Sequence, residues 1–342
     1  MTADKLRAAF QDQARSCAAL GSPLTARLLE GLAEGLTSDT ATGTRILGWP
    51  GEPSSRGDSV ALRLAGGLHA LVLSGRDTGL AAAYAAGEPV AAALAAIARH
   101  DAFLHGWLDS PPQTNEVRRS AALIAAAQWL RARHPLPLVV SEAGASAGLN
   151  LIWDRYALEV PGASYGPPDP VLRLAPDWRG LAPPAPAPVV IADRAGADIA
   201  PVDPQADRIR LMAYVWADQP DRLARTALAA DETARLRPPV IRADAVDWLA
   251  RRLATLYPGH LHLIQHTVAW QYFPPATQAR GEALIAAAGA RATADAPLAR
   301  VSMEADGAGE GAALTLTLWP SGGVVPLGRA DFHGRWIDWR AP

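Results

Sequence analysis

Two hydrophobic periods divide the chain. Up to residue 133 the apolar positions mostly follow the helical repeat. Leu6, Phe10 and Ala14 recur every four residues, Leu24, Leu28, Leu29 and Leu32 form a second stripe, and Ser22-Pro23 marks a helix start. Residues 39–58 are rich in Gly, Pro and Ser and read as loop. In the stretch 59–73, Val60, Leu62 and Leu64 alternate before Gly66-Gly67, and Leu68, Ala70 and Val72 alternate after it, which predicts a β-hairpin. Helical pattern resumes from Gly79 to Arg133, broken at Asp109-Ser110-Pro111-Pro112. Thr114 or Asn115 is a cap candidate for the helix over 117–130, and the polar run 113–116 could instead face a ligand pocket.

From residue 136 short apolar runs alternate with helical stripes. Leu138–Val140, Val189–Ala192, Pro239–Ile241 and Leu261–Gln265 read as strands. The first is expected to lead through a tight turn into a helix, and helices follow the others. Residues 157–188, rich in proline and glycine, read as an insertion with short strand-like pieces. After residue 299 apolar and polar positions alternate, which is antiparallel strand material. Strand–helix alternation predicts a mostly parallel sheet with helices on both faces. The expected organisation is a mainly helical domain over 1–133, with a hairpin near 59–73, followed by a Rossmann-like α/β domain over 134–342.

Composition narrows the classes without choosing among them. Hydrophobic residues make up 49% of the 342, charged residues 19%, and the net charge is −2. That is an ordinary globular balance with no basic face for nucleic acid. The single Cys17 excludes an intramolecular disulfide and suits a reducing cytoplasm. Neither a signal peptide nor a membrane span is expected, since the most apolar long stretch, 79–98, contains Glu88 and Pro89. The oligomeric state is not legible. No histidine pair has the spacing and third ligand of a metal site.

The candidate chemistry lies at the strand ends, where open α/β sheets bind ligands. Glu142 and Gly144 end the first strand, Asp198 follows the second, Asp244 the third, and His266 ends the fourth. The turn Gly144-Ala145-Ser146-Ala147-Gly148 has two readings. Its glycines let a ligand or a neighbouring backbone approach closely. It also spells Gly-x-Ser-x-Gly, a nucleophile elbow with Ser146 as nucleophile and Asp244 and His266 as nominal partners. His266 has the pKa range of a general base; hydrogen bonding within a polar cleft is the other reading. Arg194 could hold an anion or pair with Asp198 or Asp203. Trp270 and Tyr272 could stack on a ligand or fill the core. Asp198 and Asp244 could bind ligand or cap helices.

The order of strands, with Glu142-Ala143-Gly144-Ala145-Ser146-Ala147-Gly148, Gly196-Ala197-Asp198 and Ala243-Asp244-Ala245, resembles the Rossmann-like S-adenosylmethionine-dependent methyltransferases. Ser146 stands where the middle glycine is usual, and His266-Thr-Val-Ala-Trp replaces an Asn-Pro-Pro-Tyr-type acceptor motif. The resemblance implies a cofactor, S-adenosylmethionine, held by Glu142, Gly144, Ser146, Gly148, Asp198 and Asp244. His266 would act near the acceptor, and Asn115, Glu116, Arg194, Trp270 and Tyr272 would line its side. More narrowly, the chain resembles a bacterial domain-of-unknown-function family, number 2332. The matching stretches are Gln113-Thr114-Asn115-Glu116, Gly144 to Leu151, Asp154-Arg155-Tyr156, Arg194 to Asp198 with Pro201 and Asp203, and Val215-Trp216. Three functions follow as expectations: methyl transfer to a small molecule, ligand binding without catalysis on the same fold, and serine hydrolysis through Ser146.

Overall fold

The computed structural model describes residues 3–113 and 115–342. The chain forms two compact units. One comprises residues up to 114 with 206–227, and the other comprises 115–205 with 228–342. The second unit therefore begins before the helix that the sequence pattern assigned to the N-terminal part. That helix, α8 (Ser120–Arg133), is buried at every position from Ser120 to Leu130.

The first unit is helical: α1 (Ala3–Ala19), α2 (Pro23–Gly35), α3 (Ala41–Leu47), α4 (Val60–Leu73), α5 (Thr78–Ala86), α6 (Pro89–Arg99) and α7 (Asp101–Trp107), joined later by α9 (Arg208–Ala213) and the start of α10 (Pro220–Leu236). The hairpin expected over 59–73 is absent, and the stretch is α4. Val60, Leu64, Leu68 and Leu71 fall on one helical face with no exposed surface. Most of the remaining helix is buried as well, so apolar residues occupy both periods and the alternation misleads. The two glycines mark close packing rather than a turn. A Cβ on Gly66 would collide with the Tyr214 ring, and one on Gly67 with Leu104 and Trp107.

The second unit is built on a nine-stranded sheet. Its strands are β1 (Leu138–Ala143), β5 (Asp177–Gly180), β6 (Ile191–Asp198), β7 (Val240–Arg242), β8 (Leu261–Thr267), β9 (Leu298–Glu304), β10 (Ala312–Trp319), β11 (Gly323–Ala330) and β12 (Trp336–Trp339), in the order β5-β12-β11-β10-β9-β8-β1-β6-β7. The run β7-β6-β1-β8-β9 is parallel throughout. β10, β11 and β12 then alternate in direction. The fold is thus α/β, mostly parallel, with antiparallel C-terminal strands. β1 and β8 are buried along their whole lengths, and their polar residues Ser141, Glu142, His262, Gln265 and His266 are buried with the apolar ones. On one face α11 (Ala245–Arg252) and α12 (Pro275–Gly289) pack Trp248, Leu249 and Ile285 against Ala143, Ala197 and Ile264. The alternate residues Glu142 and Gln265, in register with each other, point to the other face.

Two local expectations change. No helix follows the glycine turn. Gly144 (φ 74°), Ser146 (φ 52°) and Gly148 (φ 76°) are all left-handed, and such residues cannot continue a right-handed helix. A single 3₁₀ turn, Trp153–Arg155, leads instead into a small sheet of β2 (Tyr156–Val160), β3 (Ala163–Tyr165) and β4 (Leu172–Leu174), ordered β3-β2-β4. The second long strand runs to Asp198 rather than stopping at Ala192, because Asp193 and Arg194 carry ion pairs at its sides while Ala195 and Ala197 face inward. Among the described residues no helix is long and apolar enough to cross a membrane.

Candidate functional site

Strand order places the topological switch at β1, whose neighbours β6 and β8 continue in opposite directions across the sheet. The β1 turn sits at that switch, where ligands bind in open α/β sheets. The turn is held almost entirely by the chain itself. The N–H groups of Gly144 and Ala145 donate to the Ala197 carbonyl at 2.9 and 3.1 Å, and that of Gly148 to Ala145 at 2.7 Å. Ser146 N–H donates to Asp198 Oδ2 at 2.8 Å. Ala147 and Leu149 both donate to Asn115 Oδ1, at 3.3 and 3.1 Å. Every backbone N–H from Gly144 to Leu149 therefore has an internal acceptor.

The small residues are used in the same way. A Cβ on Gly144 would lie 2.5 Å from the Ala269 Cβ, and one on Gly196 would lie 2.5 Å from the Ala145 Cβ. The close approach that glycine permits is taken by neighbouring chain. Asn115 is thus a clamp on the turn. Glu116 caps the following 3₁₀ turn by accepting from Arg118 N–H at 3.1 Å. Of the run 113–116, Thr114 lies outside the described residues.

Behind the turn is a buried polar cluster. Asn150 accepts from Ser120 Oγ at 2.7 Å and donates to the Glu116 carbonyl at 3.2 Å. Gln265 accepts from Trp153 Nε1 at 2.9 Å and donates to the Asn150 carbonyl at 3.2 Å. Arg119 donates to the carbonyls of Thr267 and Phe332. In this otherwise paired cluster Glu142 Oε2 and Ser146 Oγ have no hydrogen-bond partner among the described residues. Burial pushes the Glu142 carboxyl up to about 8, against smaller opposing effects of the Gln265 hydrogen bond and the Arg119 charge. At neutral pH it is largely a neutral acid that can donate a hydrogen bond. Ser146 adds backbone strain, since a left-handed serine is uncommon.

The other sequence candidates resolve differently. Asp198 accepts at Oδ2 from Ser146 and at Oδ1 from Ala200 N–H at 2.8 Å, and so pins the β1 turn to the β6 end. Asp244 caps α11 through the N–H groups of Val246 and Asp247 and pairs with Arg280. Arg194 makes a two-pronged pair with Asp154, at 2.5 and 2.8 Å, rather than with Asp198 or Asp203. Trp270 is core, stacked on His266 and packed against Gly281. Tyr272 is 67% exposed.

His266, the candidate general base, is bonded within the chain. Its side chain is fully buried, Nδ1 lies 2.7 Å from Glu304 Oε1, and Nε2 accepts from Arg300 Nε at 2.9 Å. With Nε2 an acceptor, the ring is neutral and protonated at Nδ1, and both nitrogens have a partner within the chain. Glu304 also accepts from the N–H groups of Ala269, Trp270 and Gln271, and Arg300 grips Glu282. Ser146 has the positive φ of an elbow nucleophile, but among the described residues no histidine hydrogen-bonds to it.

The residues do not fit the usual cradle of S-adenosylmethionine. The N–H groups that would meet its amino-acid end are spent, Ala269 covers Gly144, and the acids after β6 and β7 hold backbone. Among the described residues no group of three His, Cys, Asp or Glu side chains could hold a metal ion. Sequence reasoning missed Arg119, Asn150, Gln265 and Glu304. A polar Gln265 inside a fully buried strand was the one available signal.

No curated protein and no solved structure matches the chain. A family described as "Uncharacterized protein conserved in bacteria (DUF2332)" matches residues 7–339. Spanning nearly the whole chain, including the β1 turn, the Arg194–Asp154 pair and the Asp198 pin, that match makes the protein a member of this bacterial family.

Proposed function

We propose that the protein binds a small molecule at the carboxyl end of β1 without catalysing a reaction on it, and that side chains rather than the turn's backbone recognise the ligand. The observation that carries this reading is the pair of buried, unpartnered polar atoms, Glu142 Oε2 and Ser146 Oγ, in a cluster whose neighbours are paired. Buried polar groups are almost always satisfied, and one that is not calls for a partner. The neutral Glu142 carboxyl donates, so the ligand presents an acceptor such as a ring nitrogen or a carbonyl. Methyl transfer from S-adenosylmethionine is the second reading, favoured by the strand order β7-β6-β1-β8-β9, and it requires the cofactor to sit elsewhere than on the turn's paired N–H groups.

Titration with adenosine, nicotinamide and S-adenosylmethionine, read by calorimetry and by the amide signals of Ala145–Leu149, tests both. Saturable binding of an uncharged ligand, weakened at least tenfold by Ser146→Ala, supports the proposal. Binding of S-adenosylmethionine with methyl transfer to an acceptor favours the second reading. A folded protein that binds none of the three contradicts both.

A further inference from the structure

The helical unit holds unanswered hydrogen-bond donors of its own, on the face of α4 that carries the glycine pair. Arg63, Gly66 and Gly67 are spaced i, i+3 and i+4 and so share one face of that helix. The Tyr214 ring lies on Gly66 and the Trp107 indole on Gly67. A Cβ added to either glycine would come within 2.5 Å of Tyr214 Cε1 and 3.0 Å of Trp107 Cδ1 respectively. The two ring centroids are 6.1 Å apart. Tyr214 closes α9 in helical conformation. Arg210 stands four residues before it, which puts both side chains on one side of α9.

The groups gathered here donate and do not accept. The Tyr214 hydroxyl and Trp107 Nε1 are buried and make no hydrogen bond among the described residues. Burial pushes the Tyr214 hydroxyl above the usual tyrosine range, opposed by Arg210, the Trp107 N–H and Arg63. Those three opposing groups are cations or donors. Arg63 spends Nε and Nη1 on the carbonyls of Asp58 and Leu108, at 2.7 and 2.8 Å, and has the Asp58 carboxylate 3.9 Å from Nη2. Arg45, the next cation, pairs with Asp109 at 2.7 Å. Arg210 is half-buried and has neither a hydrogen bond nor an ion pair among the described residues. One positive charge and two buried donors are thus left without an acceptor, where buried polar groups are ordinarily paired.

We infer that Trp107 Nε1–H, the Tyr214 hydroxyl and the Arg210 guanidinium form a binding site for one small carboxylate. A single negative charge answers the one cation left over. The guanidinium fork matches two carboxylate oxygens, and the indole and phenol donors fix their position. Trp107 and Arg210 are half-buried, so the ligand enters from their side and both side chains turn to receive it.

The test uses the full-length protein with ¹⁵N-labelled tryptophan at fixed ionic strength. The probes are acetate, its uncharged counterpart acetamide, and inorganic phosphate. The Trp107 indole signal, assigned by its loss in Trp107→Phe, should shift saturably with acetate and at least tenfold more weakly with acetamide or phosphate. Tyr214→Phe and Arg210→Gln should each weaken acetate binding at least tenfold. Arg210→Gln alters a half-buried side chain and decides the matter if Tyr214→Phe does not fold. An unshifted Trp107 signal, equal binding of acetamide, tighter binding of phosphate, or full affinity in Arg210→Gln would overturn the inference.

Discussion

The ends of β1 and β8 lie side by side in one sheet, both carry polar residues near the strand end, and both are followed by a left-handed residue that is not glycine, Ser146 and Val268. They are finished in opposite ways. At the β8 end every charge is answered. Glu282, Arg300, His266 and Glu304 run in sequence, and Glu304 gathers three backbone N–H groups besides. At the β1 end the backbone is just as fully paired, but one carboxyl oxygen and one hydroxyl are left over. A histidine at a strand end invites a catalytic reading, yet this one lies at the paired end. The residues to examine for binding are those whose hydrogen-bonding capacity remains after the fold has used what it needs.

The largest effect expected from breaking this contrast is at the closed end. Glu304→Ala strips His266 and three N–H groups of their acceptor and should cost about 3 kcal/mol or more in denaturant unfolding. A near-neutral result would mean that the β8 end is not the fixed one. Next comes Gly144→Ala, which adds a left-handed alanine and a collision with Ala269. A loss of about 2 kcal/mol is expected, partly recovered in the double variant with Ala269→Gly. Full tolerance of the single change would show that the turn is not covered.

The Glu142 carboxyl sharpens the comparison through pH. Its folded pKa is raised from the ordinary 4.5 to about 8, so the folded state holds a proton that the unfolded chain has lost. Its contribution to stability is complete below pH 4.5 and declines as pH rises toward 8. Relative to Glu142→Gln, the wild type should lose stability across that window with a slope approaching ~1.4 kcal/mol per pH unit. Parallel stability curves for the two proteins would contradict a neutral buried acid. The smallest effect separates strain from use. Ser146→Gly and Val268→Gly should each stabilise by about 1 kcal/mol by relieving a left-handed residue. Only Ser146→Gly should also weaken ligand binding.

The parallel sheet was legible because its strands are short, apolar and separated by helical stripes, and because the antiparallel end alternates cleanly. α4 was not, since a helix buried on nearly all sides loses its period and its glycine pair resembles a turn. The missing helix after Gly148 was hidden as well, because sequence does not show that Ser146 joins the two glycines in the left-handed region. At the candidate site, the position of the turn, Glu142, Asn115 and Asp198 were all readable from strand ends and short polar runs. Their roles were not. Whether Asp198 holds a ribose or two backbone N–H groups, and whether His266 keeps a nitrogen to spare, depends on partners such as Ala200, Arg300 and Glu304. Those partners are remote in sequence or carry no motif.

The most direct test of ligand binding at the β1 end is the ¹³C signal of the Glu142 carboxyl at pH 7, followed during titration with adenosine, nicotinamide and S-adenosylmethionine. The expected result is a largely protonated carboxyl whose signal shifts saturably with at least one uncharged ligand and does so far more weakly in Ser146→Ala. An ionised carboxyl, or a signal that none of the three ligands moves, would contradict it.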